Sequence, residues 1–321
     1  MSRSGLELRA SFELHSLSGR DLVELMESVG LGFEPRFLRN RGLTRGFEPV
    51  TSDLIERLRS WDGKTNLELR AAATTDRAVS FRGLSLPDWE LQTFSWKGLP
   101  ASFDPTPLVN WLMENAGFSA AYFFEEDDVA RQSTEALSTY EARGWKAEAL
   151  AFVEDPSFPD RRIDISGNPG RATLLRGLWF IAAPRIWLGG RALDYFPRRL
   201  VEGFPGAVKI DAEKKNVVSV QLTPGISDPG TESGRRAQAA LRSWLGVDAI
   251  AEAQSRSVGG GGPGFLIEEG SYPHGGVRRV TISSNLEGRV VRRNEAHWTE
   301  SFELDPRGRI LWRSGRVLAQ S

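Results

Sequence analysis

The chain has 321 residues, 40% hydrophobic and 26% charged, with 41 Lys and Arg against 42 Asp and Glu and a formal net charge of -1. That is the composition of a globule with room for more than one core. The absence of cysteine excludes disulfides and thiolate metal sites, and the balanced charge argues against a nucleic-acid binder, which would carry a basic excess.

Taken in order, residues 1–7 hold no apolar run of the signal-peptide kind, so none is expected. Leu6, Leu8, Phe12 and Leu14 alternate with polar residues and predict a strand. Leu22, Leu25, Met26 and Val29 form a helical stripe that Gly30 closes. A Gly/Arg-rich loop follows, then a short helix with Leu54, Ile55 and Leu58, capped by Ser52 or Asp53. Strand-like runs cover 66–73, 77–84 and 89–96. Asp104-Pro105 opens a helix carrying Leu108, Val109, Trp111 and Leu112. Phe118 to Phe124 is short enough to be a buried strand, and Val129, Ser133, Ala136, Leu137 and Tyr140 predict a helix stopped by Gly144.

The second half repeats the theme. Ile163 and Ile165 precede the turn Ser166-Gly167-Asn168-Pro169-Gly170. Leu178 to Ile181 and Arg185 to Leu188 are aromatic-rich strands joined across Pro184. Leu174 to Gly189 is the longest apolar stretch, but Arg176, Pro184 and Arg185 interrupt it, so it is too short and too charged to span a bilayer. Leu193 to Val201 predicts a short helix, and 207–210 with 217–222 a hairpin. Ser233 to Arg256 reads as one long helix that Gly246 can kink. Gly259 to Gly264 reads as a linker. Beyond it five strands are expected, at 265–269, 277–283, 286–292, 298–304 and 309–313, with Asp305-Pro306-Arg307-Gly308 as a turn.

The expected fold class is α+β, with antiparallel sheets, helices on one face, two similar halves and a C-terminal β meander. The expected domains are 1–155, 156–258 and, after the linker, 265–321.

Catalytic chemistry finds little support. The glycine run lacks a helix behind it and a Lys-Ser/Thr, so it is no phosphate loop. His15, His274 and His297 have no metal-ligand spacing. Asp164, Asn168 and Arg171 fit a structured turn. No Gly-x-Ser-x-Gly elbow is present. The many tryptophans and phenylalanines suit a core, and any that are exposed beside arginine would suit an interface. No cofactor and no metal are expected.

The densest acidic cluster is Glu125-Glu126-Asp127-Asp128. Successive carboxylates on an extended chain point to opposite faces and converge poorly on a cation. A capped strand-to-helix connection explains them; the functional rival is an acidic patch that docks a basic partner.

Asp164-Ile165-Ser166-Gly167-Asn168-Pro169-Gly170-Arg171, Leu178-Trp179-Phe180, Trp187-Leu188-Gly189, Tyr195-Phe196-Pro197 and Ala240-Leu241-Arg242-Ser243-Trp244-Leu245-Gly246 carry a resemblance. The region 164–250 resembles α+β immunity proteins of bacterial polymorphic-toxin and type VI secretion systems. The resemblance implies a cytoplasmic protein that binds a cognate toxin, for instance a nuclease, and blocks its active site. Glu125, Glu126, Asp127, Asp128, Glu154 and Asp155 are then the candidate partner-binding residues, because an acidic surface suits a basic nuclease cleft. The alternatives are an adaptor or assembly protein of a secretion or phage-like apparatus, and an enzyme using carboxylates and arginines on a nucleotide or sugar. No nucleic-acid or membrane partner is expected, and the oligomeric state stays open.

Overall fold

The computed structural model describes residues 5–40, 42–72, 79–86, 89–148, 150–154, 161–213, 216–251, 265–269, 272–276, 278–284, 298–304 and 310–317. Strand β1 (Leu6–Glu13) leads into helix α1 (Gly19–Ser28). The Asp21 carboxylate accepts from the Ser18 backbone N–H at 2.7 Å and from its hydroxyl at 2.6 Å. This ties down the N-terminus of α1 and puts negative charge at the positive end of its dipole. Then come β2 (Phe37–Asn40), β3 (Glu48–Pro49) and α2 (Ser52–Arg59), the last capped by Thr51, whose hydroxyl accepts from Leu54 N–H. Strands β4 (Leu67–Arg70), β5 (Ser80–Leu86) and β6 (Leu91–Leu99) precede α3 (Thr106–Met113), β7 (Phe118–Glu125) and α4 (Glu126–Ser133). Next are α5 (Leu137–Ala142), β8 (Phe152–Val153), β9 (Arg162–Ile163), β10 (Thr173–Leu175), β11 (Leu178–Phe180) and β12 (Arg185–Leu188). The chain continues with α6 (Gly190–Tyr195), α7 (Arg198–Glu202), β13 (Lys209–Ala212), β14 (Val218–Gln221) and α8 (Glu232–Trp244). It closes with β15 (Phe265–Glu269), β16 (Arg278–Ser284), β17 (Trp298–Leu304) and β18 (Ile310–Val317).

These elements form two compact units, Met1–Gln132 with Asn168–Val247, and Ser133–Gly167 with Asp248–Ser321. The first is built on a ten-stranded sheet ordered β13-β14-β12-β7-β1-β6-β5-β4-β2-β3, whose pairings are antiparallel. One face carries an aromatic layer. Phe12 meets Phe94 edge-on at 5.7 Å, Phe81 stacks on Phe94 at 5.5 Å, and Phe81 lies 4.9 Å from Trp96. Helices α1, α2 and α3 press Leu22, Leu25, Leu54, Leu58, Leu108 and Leu112 into the same core. On the other face, Tyr122 meets Phe180 at 6.2 Å, and Phe180 meets Phe196, at the end of α6, at 5.3 Å. Tyr122 and Phe123 point to opposite faces because side chains alternate along β7.

The second unit contains the two-stranded β8–β9 sheet and a four-stranded antiparallel meander, β15-β16-β17-β18. The described residues include no helix long and apolar enough to cross a membrane.

The α+β class stands. Several details differ from the sequence expectation. Helical cover lies on both faces of the large sheet, over different strands. Strand β12 pairs directly with β7 along Arg185↔Phe123 to Leu188↔Ala120, so residues from the second half extend the first half's sheet. The helix expected over 129–140 is two helices. Glu135 accepts from Ile163 N–H at 2.7 Å and Leu137 donates to Arg161 at 3.2 Å, so extended pairing uses the backbone groups a helix would need. Pro197, which has no N–H, separates α6 from α7. Helix α8 stops at Trp244, and Gly246 takes φ +65°. The Gly/Arg-rich stretch after Gly30 holds β2 and β3. The glycine run at 259–264, the turn at 305–308 and the expected strand at 286–292 lie outside the described residues.

Candidate functional site: an arginine-rich sheet face

Glu125 ends β7, and Glu126, Asp127 and Asp128 make the first turn of α4. Carboxylates are favoured there by the helix dipole. Asp128 takes a bidentate ion pair from Arg235 of α8, with Nη1 at 3.1 Å from Oδ2 and Nη2 on Oδ1. Gln132 donates to Asp128 Oδ2 at 3.0 Å and accepts from Gly170 N–H at 2.7 Å. Asn168 donates to the Gln132 carbonyl at 3.0 Å, and Gln238 accepts from Arg235 and donates to the Ala182 carbonyl. This polar network fastens α4, the Asn168–Gly170 turn and α8 together.

Glu126 reaches Lys97 at 3.7 Å. Burial, and then the neighbouring Asp128 and Asp127, push the Glu125 carboxyl above its ordinary range. Glu154 is exposed just beyond β8, in the second unit, and Asp155 lies outside the described residues. Replacing Asp128 by Ala leaves Arg235 without its carboxylate and should lower stability by about 1–2 kcal/mol. Urea denaturation checks this, and an unchanged midpoint would count against a structural role for the pair.

Asp164 belongs to the second unit, and Asn168 and Arg171 belong to the first. Asp164 accepts from Ser166 N–H within its own turn at 2.8 Å, while Arg171 donates to the Asn168 carbonyl at 2.8 Å. His274 donates its backbone N–H to Glu303 at 3.0 Å, stacks on Trp312 at 4.8 Å and has Nδ1 3.1 Å from the same carboxylate. Arg279 completes that cluster, at 2.9 Å from Glu303. Burial would raise the Glu303 carboxyl, but the Arg279 and His274 hydrogen bonds outweigh it and hold it below its ordinary value. His15 belongs to the other unit and His297 lies outside the described residues. Among the described residues no group of His, Asp and Glu is placed to hold a metal.

A different constellation occupies the large sheet. Five consecutive strands, β1, β6, β5, β4 and β2, each aim one cation at the same face: Arg9, Lys97, Arg82, Arg70 and Arg39. The register lines up Arg9, Ser95, Arg82, Glu68 and Arg39 in one cross-strand row. Lys97, Ser80 and Arg70 form the next. Two carboxylates beneath hold the cations in place. Glu68 accepts from Arg39 at 2.5 Å and Arg70 at 2.6 Å, with Arg82 at 3.5 Å. Glu7 takes Arg9 at 2.7 Å and Lys97 at 3.5 Å. The side chains of Glu7 and Glu68 are 2% and 6% exposed, whereas those of Arg39 and Arg82 are 51% and 45% exposed. The carboxylates are a buried floor, Arg39 and Arg82 are the exposed guanidiniums, and Arg9 and Arg70 are largely buried, at 20% and 19% exposed. Phe47 lies between Arg39 and Arg70, with ring centroid distances of 4.6 and 4.2 Å, and stiffens that edge.

Burial alone would raise the Glu68 carboxyl; Arg82, Arg70 and Arg39 together hold it below its ordinary value of 4.5. A signal for this face is present in the amino-acid sequence. The pentapeptide Leu-Glu-Leu-Arg-Ala occurs twice, at 6–10 and 67–71. In both copies, period-two alternation sends the leucines to the core and pairs Glu with Arg on the outer face.

No family model matches the chain, and no curated protein does. Among solved structures, a Pseudomonas aeruginosa T6SS protein is similar at 12% sequence identity and a TM-score of 0.43, over 75% of this chain and 72% of its own.

Proposed function

We propose that the protein acts by stoichiometric binding of a protein partner, as an immunity protein that neutralises a cognate bacterial toxin in the cytoplasm. The observation that supports this reading is the arginine-rich sheet face, whose cations are held by Glu7 and Glu68 before any partner arrives. Ordering a long side chain at an interface costs about 0.5–1.5 kcal/mol. A face that is already ordered avoids much of that cost, and Arg is a residue of interface hot spots.

The test is co-expression with a candidate toxin sought among the genes neighbouring this one. Growth should be rescued, and the purified pair should elute as one complex of fixed stoichiometry. Failure to rescue together with failure to form a complex would refute the reading. So would turnover of a small molecule abolished by one polar substitution.

A further inference from the structure

We infer that the β1-β6-β5-β4-β2 face docks an acidic segment of a protein partner, a conclusion that rests on the binding role proposed above. The sign of the charge carries the argument. Five cations, Arg9, Lys97, Arg82, Arg70 and Arg39, face three carboxylates, Glu7, Glu68 and Glu126, with a fourth, Glu13, on the same face at the end of β1. The two best buried of those carboxylates are covered, and Arg39 and Arg82 are the guanidiniums exposed to an arriving partner. Among the described residues, Arg82 engages a carboxylate with one amino group at 3.5 Å, and Arg39 engages one with Nη2 alone. A guanidinium carries five N–H donors, so both keep donors beyond the one that Glu68 takes up, on side chains about half exposed.

Spacing narrows the partner further. Adjacent strands lie about 4.8 Å apart, so the cations zigzag over about 19 Å across the five strands. Arg9, Arg82 and Arg39 sit on alternate strands of one row, about 10 Å from one to the next. Carboxylates seven residues apart on a helix recur every 10.5 Å or so at a rise of about 1.5 Å per residue. An acidic helix crossing the strands therefore matches the row, and about 13 residues of it cover the whole zigzag.

A nucleic-acid backbone is the less favoured occupant. The chain's net charge is -1, so it has no long-range field to draw a polyanion. A segment with separated carboxylates fits the separated cations better.

The experiment uses the full chain at low ionic strength, where surface pairs are least screened. The probe is a fluorescent glutamate-rich helical peptide of about 13 residues, with a lysine-rich peptide and a DNA duplex as comparisons. Arg39→Gln/Arg82→Gln keeps Arg70 on Glu68 and so keeps the floor of the face paired. Arg176→Gln/Arg236→Gln makes the same change in net charge at two exposed arginines elsewhere.

The expected result is salt-sensitive binding of the acidic peptide, weakened about tenfold in Arg39→Gln/Arg82→Gln and retained in the control. Absence of acidic-peptide binding, equal loss in both double variants, or tighter binding of DNA would each overturn the inference. The toxin assay separates it from the binding role itself. If Arg39→Gln/Arg82→Gln neutralises the toxin as well as the unaltered protein does, this face is not the docking site and the immunity role stands. If the unaltered protein fails to neutralise, the role falls.

Discussion

Gly19→Ala is expected to lower stability by about 3 kcal/mol, the upper part of the range for inserting atoms into a packed interior. Gly19 begins α1 where it crosses the end of α2. A Cβ there would sit 1.7 Å from the Leu58 carbonyl oxygen and 3.0 Å from the Trp61 Cβ. The first of these is backbone and cannot rotate away. Gly19 also donates its N–H to the Trp61 carbonyl at 2.8 Å, which holds the two helices at this separation. Relief requires α1 to lift from α2, which would open the layer holding Leu22, Leu25, Leu54 and Leu58.

Gly30 provides the contrast. It has φ +78° and nothing within 4 Å of a built Cβ. Alanine there meets only the left-handed backbone penalty, about 1–2 kcal/mol. Urea midpoints for the two variants test the pair. A Gly19→Ala midpoint no lower than that of Gly30→Ala would mean that the helices are not in this close contact.

Glu68→Gln is expected to cost about 2–3 kcal/mol at neutral pH, since a buried charged acceptor is lost from under three guanidiniums. The value stays below that of a fully buried ion pair because Arg39 and Arg82 are about half exposed and water screens them. The loss should depend on pH. The folded-state carboxyl titrates below its ordinary value, so the folded state favours the charged form. Its stabilisation is complete above the unfolded carboxyl value of about 4.3 and disappears as pH falls through the lower folded value. The difference between the unaltered protein and Glu68→Gln should be constant above about pH 5 and shrink in acid. Denaturation midpoints across that range provide the measurement, and a difference that grows in acid would contradict the assigned sign.

Local pattern was a good guide to individual elements. Alternation marked β1, a short apolar run marked β7, the helical stripe marked α1, and Asp104 before Pro105 marked the start of α3, where the Asp104 carboxylate accepts from Thr106 N–H at 3.0 Å. These features depend on neighbours a few residues away. The acidic run at 125–128 was legible as a strand-to-helix connection, with its carboxylates in the first turn of α4. That Asp128 would meet Arg235 was not, because 107 residues separate them along the chain.

The amino-acid order alone therefore carried the α+β class and the alternation that sets Glu7 beside Arg9 and Glu68 beside Arg70 on one face of their strands. Only the tertiary structure decided which strands lie side by side. Strand order β1-β6-β5-β4-β2 joins residues as far apart as Leu6 and Leu99, and the zigzag of Arg9, Lys97, Arg82, Arg70 and Arg39 exists only in that order. The physical reason is that cross-strand register is set by burial of the apolar face, a long-range choice, and the charged face is carried along with it.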